Sequence, residues 1–263
     1  MSGSWDPFEA PFRVRFDESG PDGLVRTSTL LRYAQDIAWQ HSDARGYDRE
    51  WYRERGLTWV VRAVAIEVAG PIPMGTTLQA TTSVVGHRRV WSRRRGDFRL
   101  PAEPVVAGSP PAATVITDWL LLDRANRPAR IPPEFEAAFE LLPATNGLIR
   151  VALESAPEDA VHSRLAVRPH ELDPLVHANN AVYLDWLEES VLAAEATAVA
   201  PTQAGPPPGL TRRIPRRYRM EYAGSAEPEV NLESALWPVD GGWAYRLAAP
   251  GGADLVRARV DGG

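Results

Sequence analysis

Asp173 and His177, four residues apart, are the side chains whose types and spacing suggest chemistry first. Asp173 stands in a Leu-Asp-Pro turn, His177 lies just ahead of a stretch of helical periodicity, and Asn179 or Asn180 is of the type that caps a helix start. An aspartate and a histidine together supply a base and a proton carrier. The unpaired N–H groups of a helix N-terminus favour an oxygen that gains negative charge. Such a set suits attack on a carbonyl carbon. Each residue also has a plain structural reading: Asp173 as a turn stabiliser, His177 as a satisfied cap or core histidine, and Asn180 mainly as a cap.

Composition removes other chemistries. The 263 residues include no cysteine, so disulfides, thiolate metal sites and a cysteine nucleophile are excluded. No lysine occurs either, which excludes Schiff-base chemistry and a phosphate-loop lysine. Five scattered histidines give no recognised metal spacing and no glycine-rich loop follows a strand, so neither metal nor cofactor is expected. A net charge of -5 argues against a nucleic-acid-binding surface, although arginines cluster at Arg88, Arg89 and Arg93–Arg95, and again between Arg212 and Arg219. No apolar run reaches the roughly 18 residues of a membrane span. The polar, acidic start, Met1 to Ala10, shows no signal or transit peptide, so the expected compartment is the cytoplasm.

The elements that must position Asp173 and His177 come twice. Phe12, Val14 and Phe16 alternate with arginines as in a half-buried strand, and Ser28–Ala44 has helical spacing with Ser28 or Thr29 available as cap. Four strand-like runs follow at Thr58–Val68, Thr76–Val85, Arg89–Arg99 and Ala113–Leu122, with a loop at Pro101–Pro111. The second half repeats the order: a strand near Leu165–Val167, a helix from Asn180 to about Ala196, then strands near Ile214–Tyr222, Glu229–Leu236, Trp243–Leu247 and Leu255–Val260. Without gaps, Asp22-Gly-Leu-Val-Arg26 lies over Asp173-Pro-Leu-Val-His177, and Ile66–Gly70 lies over Met220–Gly224. The expectation is two domains, 1–135 and 161–263, joined by a linker at 136–160 with a short helix near Glu134–Leu141. A small sheet beside an apolar helix is stable only if it curls around that helix.

That order matches the hotdog fold. Leu57-Thr-Trp-Val-Val-Arg62, Leu120-Leu-Leu-Asp123, Arg127-Pro-Ala-Arg-Ile-Pro132 and the run from His177 through Asn179, Asn180 and Tyr183 to Trp186 resemble the plant and bacterial acyl-acyl-carrier-protein (acyl-ACP) thioesterases. The resemblance implies an α+β tandem (double) hotdog, each half a curled antiparallel sheet wrapped around a central helix. It implies hydrolysis of fatty acyl thioesters to free fatty acids, in fatty acid biosynthesis, with acyl carrier protein as partner. In the family, the aspartate, the histidine four residues on and a glutamate on a following strand form the site, which maps to Asp173, His177 and Glu221. Asn179, Leu175 and Trp59 are expected to contact substrate. The plant enzymes carry asparagine at the position of Leu175, which cannot hydrogen-bond through its side chain. They carry cysteine at the position of Tyr222, so a cysteine mechanism is excluded here.

On this reading Glu221 or Asp173 activates water or attacks directly, while His177 orients the thioester and assists proton transfer. The first repeat has Arg26 opposite His177, so Asp22 and Glu67 lack a proton-transfer partner and that half is expected to be silent. Leu31, Tyr33, Ile37, Trp59 and Val61 are candidates to wall an acyl tunnel, with ordinary core as the alternative. The arginine clusters are candidates to dock an acidic carrier, with solvated strand faces as the alternative. Sheet edges leave pairing into a homodimer open. Rival readings are an acyl-CoA thioesterase, hydration or dehydration of an acyl thioester on the same fold, and a non-catalytic acyl-thioester-binding module.

Overall fold

The computed structural model describes residues 7–101, 110–197, 209–228 and 230–262, apart from the side chain of Thr197. Most of the expected 101–111 loop, and the start of the strand expected from Glu229, lie outside them. The chain divides into two compact units, Met1–Leu148 and Ile149–Gly263.

In the first unit, β1 (Phe8–Arg13) precedes α1 (Thr27–Ala44) and α2 (Arg49–Arg55), and then come β2 (Thr58–Val68), β3 (Thr77–Arg88), β4 (Trp91–Arg99), β5 (Ala113–Leu122) and α3 (Pro133–Ala138). All pairings are antiparallel, in the order β1-β3-β4-β5-β2. Leu30, Leu31 and Ile37 of α1 are fully buried, and the helix packs on β1, β3 and β5. Burial extends around α1 to Thr27, Ser28, Thr29 and His41 because the curled sheet takes more than one helical stripe out of water.

The second unit repeats the plan with β6 (Val161–Ala166), α4 (Val182–Thr197), β7 (Arg216–Tyr222), β8 (Asn231–Val239), β9 (Gly242–Ala248) and β10 (Asp254–Gly262). Its order, β7-β10-β9-β8-β6, is the same topology strand for strand. Tyr183, Leu184, Leu187 and Val191 of α4 are buried, and Tyr218 of β7 donates its hydroxyl to Glu188 on that helix, 2.5 Å. Each unit is therefore an α+β hotdog, and the chain is a tandem hotdog. Among the described residues no helix is long and apolar enough to cross a membrane.

Two local expectations are corrected and one element is new. Phe16 does not continue β1 but lies in a single 3-10 turn, 84% exposed, because the Glu18 carboxylate accepts the Arg15 N–H and closes the chain there. The residue preceding α1 is Arg26, with no side-chain cap, in place of Ser28 or Thr29. The short helix α2, capped by the Asp48 side chain on the Trp51 N–H, was not foreseen.

Candidate active site

Asp173 and His177 close a tight hairpin ahead of α4. The Asp173 N–H donates to the His177 carbonyl, 2.8 Å, and the Val176 N–H donates to the Asp173 carbonyl, 2.9 Å. One side-chain oxygen of Asp173, Oδ1, accepts the N–H of Leu175 at 2.8 Å and of His177 at 3.3 Å. Two main-chain donors thus orient the carboxylate, while Oδ2 has no hydrogen-bond partner among the described residues. The half-buried His177 imidazole also bonds to no described residue. The backbone bonds thus orient the Asp173 carboxylate and hold the His177 main chain beside it.

The hairpin leads directly into the helix start. The Asn179 side chain accepts the Ala181 N–H, 2.9 Å, and its carbonyl accepts the Val182 N–H, 2.9 Å. Asn179 therefore caps α4, which begins two residues later than the expected Asn180. Tyr183, one residue into the helix, accepts the Ala226 N–H on its hydroxyl, 2.7 Å, and stacks edge-on against Tyr222. Burial pushes the Tyr183 hydroxyl up to about 12. The Ala226 hydrogen bond opposes that rise and the nearby Asp173 charge adds to it. Tyr183 thus belongs to the surroundings of Asp173; the His-x-Asn-Asn-x-x-Tyr spacing carried that signal.

Glu221 is held elsewhere. Alternation along β7 turns Tyr218 and Tyr222 toward α4, shown by their bonds to Glu188 and to the Asn180 carbonyl, and turns Glu221 to the opposite face. There its buried carboxylate is ion-paired with Arg150 and accepts the Val151 N–H at 3.0 Å. Arg257, opposite it on β10, adds a second positive charge nearby, and Asp173 and His177 are not among the partners seen for Glu221. Arg150 was not singled out by the sequence, since an isolated arginine in a loop carries no spacing signal.

Leu175 and Val176 form the hairpin tip, 46% and 59% exposed. Trp59 lies in the first unit, where its Nε1–H donates to the Tyr52 hydroxyl, 3.2 Å, beside Phe135. Leu31, Tyr33, Ile37 and Val61 are buried core of that unit. Of the first arginine cluster, Arg93 is ion-paired with the fully buried Asp118 at 2.6 Å, Arg94 is buried against His41, and Arg95 pairs with Asp97 at 3.0 Å. Those guanidinium groups meet partners within the fold. In the second cluster Arg216 is buried, while Arg212, Arg213, Arg217 and Arg219 are exposed. No group of three or more His, Asp or Glu close enough to hold a metal occurs among the described residues.

The main-chain bonds also correct the repeat register. In the first unit the Gly20 N–H donates to the Leu24 carbonyl, 2.8 Å, and the Gly23 N–H to the Gly20 carbonyl, 3.0 Å. The Arg26 N–H donates to the Glu18 carbonyl, 3.0 Å, as the Asn179 N–H does to that of Glu171, 2.9 Å. Hence Gly20 corresponds to Asp173, Gly23 to Val176, Leu24 to His177 and Arg26 to Asn179. The ungapped match of Asp22 to Asp173 is displaced by two residues, and the counterpart of His177 is leucine. The strand match holds: Ala69 and Gly70 both donate to the Ala112 carbonyl as Ala223 and Gly224 do to that of Leu255. The similarly spaced Arg15-x-x-Glu18 and Arg168-x-x-Glu171 pairs were the sequence signal for the true register.

With fold and hairpin defined, comparison with known proteins assigns the chain. The acyl-ACP thioesterase N-terminal domain matches residues 6–139 and the corresponding C-terminal domain matches residues 154–203. The chain belongs to the acyl-ACP thioesterase family. The second match contains Asp173 and His177 but ends before Glu221. A palmitoyl-acyl carrier protein thioesterase of Cuphea hookeriana is 24% identical over 97% of this chain, which spans 61% of that relative's length. Among solved structures, an acyl-ACP thioesterase from Bacteroides thetaiotaomicron is similar with TM-score 0.74 at 14% identity, over 96% of each chain. The 12:0-ACP thioesterase from Umbellularia californica follows with TM-score 0.72 at 19% identity, over 97% of this chain and 96% of that one.

Proposed function

We propose that this protein hydrolyses fatty acyl-ACP thioesters to free fatty acids, with the reaction centred on Asp173 and His177. The observation that carries the reading is the hairpin itself: a carboxylate oriented by two main-chain N–H groups and an imidazole without a described partner, joined by a five-residue loop at the start of a buried helix. Asp173 Oδ2 takes a proton from water, and the resulting hydroxide adds to the thioester carbonyl. The carbonyl oxygen, now negative, is stabilised at the N-terminus of α4. As the C–S bond breaks, the departing sulfur takes up a proton through His177 and Asp173 gives the proton it took from water back to solvent, so that one water is consumed and both groups return to their starting state. A free acid and the thiol of the carrier result.

Glu221 is the third member of the site and the one expected to contribute least, because Arg150 and Val151 already occupy its carboxylate. Leu175 and Asn179 line the approach, and Trp59 stands with the first unit's aromatic cluster as a substrate contact. Residues 1–135 and 161–263 act as the two hotdog domains, the second carrying the site. The exposed arginines of the 212–219 cluster suit an acidic carrier, which would meet the enzyme in the cytoplasm.

The test is steady-state turnover on carrier-bound and CoA-bound thioesters of the same acyl chain. Faster release of free acid from the acyl-ACP substrate is expected. Preference for the CoA substrate would overturn the choice of carrier, and an altered acyl thioester without free acid would overturn hydrolysis.

A further inference from the structure

Val176 holds a backbone conformation that its side chain disfavours. Its φ is 63°, in the left-handed region, where a β-branched residue is rare. The same chain contains the relaxed counterpart: Gly23, at the matching position of the first hairpin, has φ 73° and the matching N–H bond to the residue three positions earlier. Burial does not compensate Val176, since its side chain is 59% exposed and its neighbour Leu175 is 46% exposed. The strain lies inside the loop whose ends are Asp173 and His177. Strained residues persist where function uses them, and adjoining exposed apolar side chains mark a surface that a ligand covers.

We propose that Val176, together with Leu175, forms an apolar lip that receives the first methylene groups of the acyl chain as the thioester carbonyl reaches His177. This rests on the thioesterase reading of the same site and adds a specificity-determining residue to it. The acyl chain is the fitting occupant because the lip is the tip of the same five-residue loop that carries both reactive groups, with Val176 next to His177 in the chain, so the part of the substrate next to the carbonyl passes it. An acidic carrier surface would meet the Asp173 carboxylate in this loop and neither arginine nor lysine, since it reads Asp-Pro-Leu-Val-His.

Val176→Gly and Val176→Asn both accept the left-handed conformation and both remove the apolar side chain. Their melting temperatures and their binding to non-hydrolysable thioether analogues on the carrier, one with a dodecyl and one with a methyl group, test the lip. The expected result is melting at or above wild type, about five- to tenfold weaker binding of the dodecyl analogue, and less than about twofold change for the methyl analogue. Equal weakening of both analogues would place the contact on the carrier and overturn the lip, as would unchanged dodecyl binding with a raised melting temperature. Wild-type protein that binds the dodecyl analogue yet hydrolyses no acyl thioester would sink the thioesterase reading, while the same binding ratios still judge the lip. Failure of wild type to bind the dodecyl analogue would overturn the lip directly.

Discussion

The hairpins at residues 19–25 and 172–178 share their main-chain bonds but place different side chains on them. The first has glycine at positions 20 and 23 and leucine at 24, and its carboxylate, Asp22, sits at the tip and accepts the Leu24 N–H at 3.0 Å. The second has Asp173 at the base, His177 opposite it, and valine forced into the left-handed tip position. One backbone thus serves as a plain turn in one unit and, in the other, carries the two groups proposed to react. A histidine in α1 and the histidine of the second hairpin repeat the contrast. His41, near the end of α1, is buried and accepts a hydrogen bond from Arg94, and burial with the Arg94 and Arg45 charges pulls it down to about 3. It stays neutral at ordinary pH, whereas no described residue engages the His177 ring.

The largest expected effect separates the two aspartates. Asp173→Ala should lower turnover by about 10²–10⁴-fold, the usual worth of a positioned base, while Asp22→Ala should change it by less than about twofold. Equal losses would end the distinction between the hairpins. Arg150→Ala comes next: removing the ion-pair partner of the buried Glu221 carboxylate, with only the more distant Arg257 charge opposite it, should cost about 2 kcal/mol of stability, read from urea unfolding. Gly23→Val should then cost about 1–2 kcal/mol, although a Cβ there would meet nothing within 4 Å, because the loss is conformational. An unchanged midpoint would mean that the left-handed tip is not strained.

The smallest effect is a pH slope. The His41 value in the folded chain lies below the ordinary 6.5, so the unfolded chain binds the proton first. Stability contributed by neutral His41 is therefore present above about pH 6.5 and lost progressively as pH falls toward 3. His41→Gln should flatten the fall of melting temperature between pH 7 and pH 4. An unaltered slope would contradict the assignment.

The strand and helix order was legible because period-2 and helical patterns survive wherever one face is buried, as in β4, β5 and α1. The Asp173–His177 pair was legible through its place before a helix. The repeat register was not, because the Leu-Val pair shared by 24–25 and 175–176 suggests an offset that the main-chain hydrogen bonds of the folded hairpins contradict. Val176 could not be flagged, since nothing in its neighbours announces a positive φ on a β-branched residue. Arg150 and the inward turn of Arg93 and Arg94 depend on contacts between residues far apart in sequence, which no local pattern encodes.

The most direct test of the central claim is single-turnover release of free fatty acid from a purified acyl-ACP by wild type, Asp173→Asn and His177→Ala, each shown to be folded by its melting curve. The account predicts release by wild type and a loss of at least about 100-fold in each variant. Wild-type rates in either folded variant would contradict it.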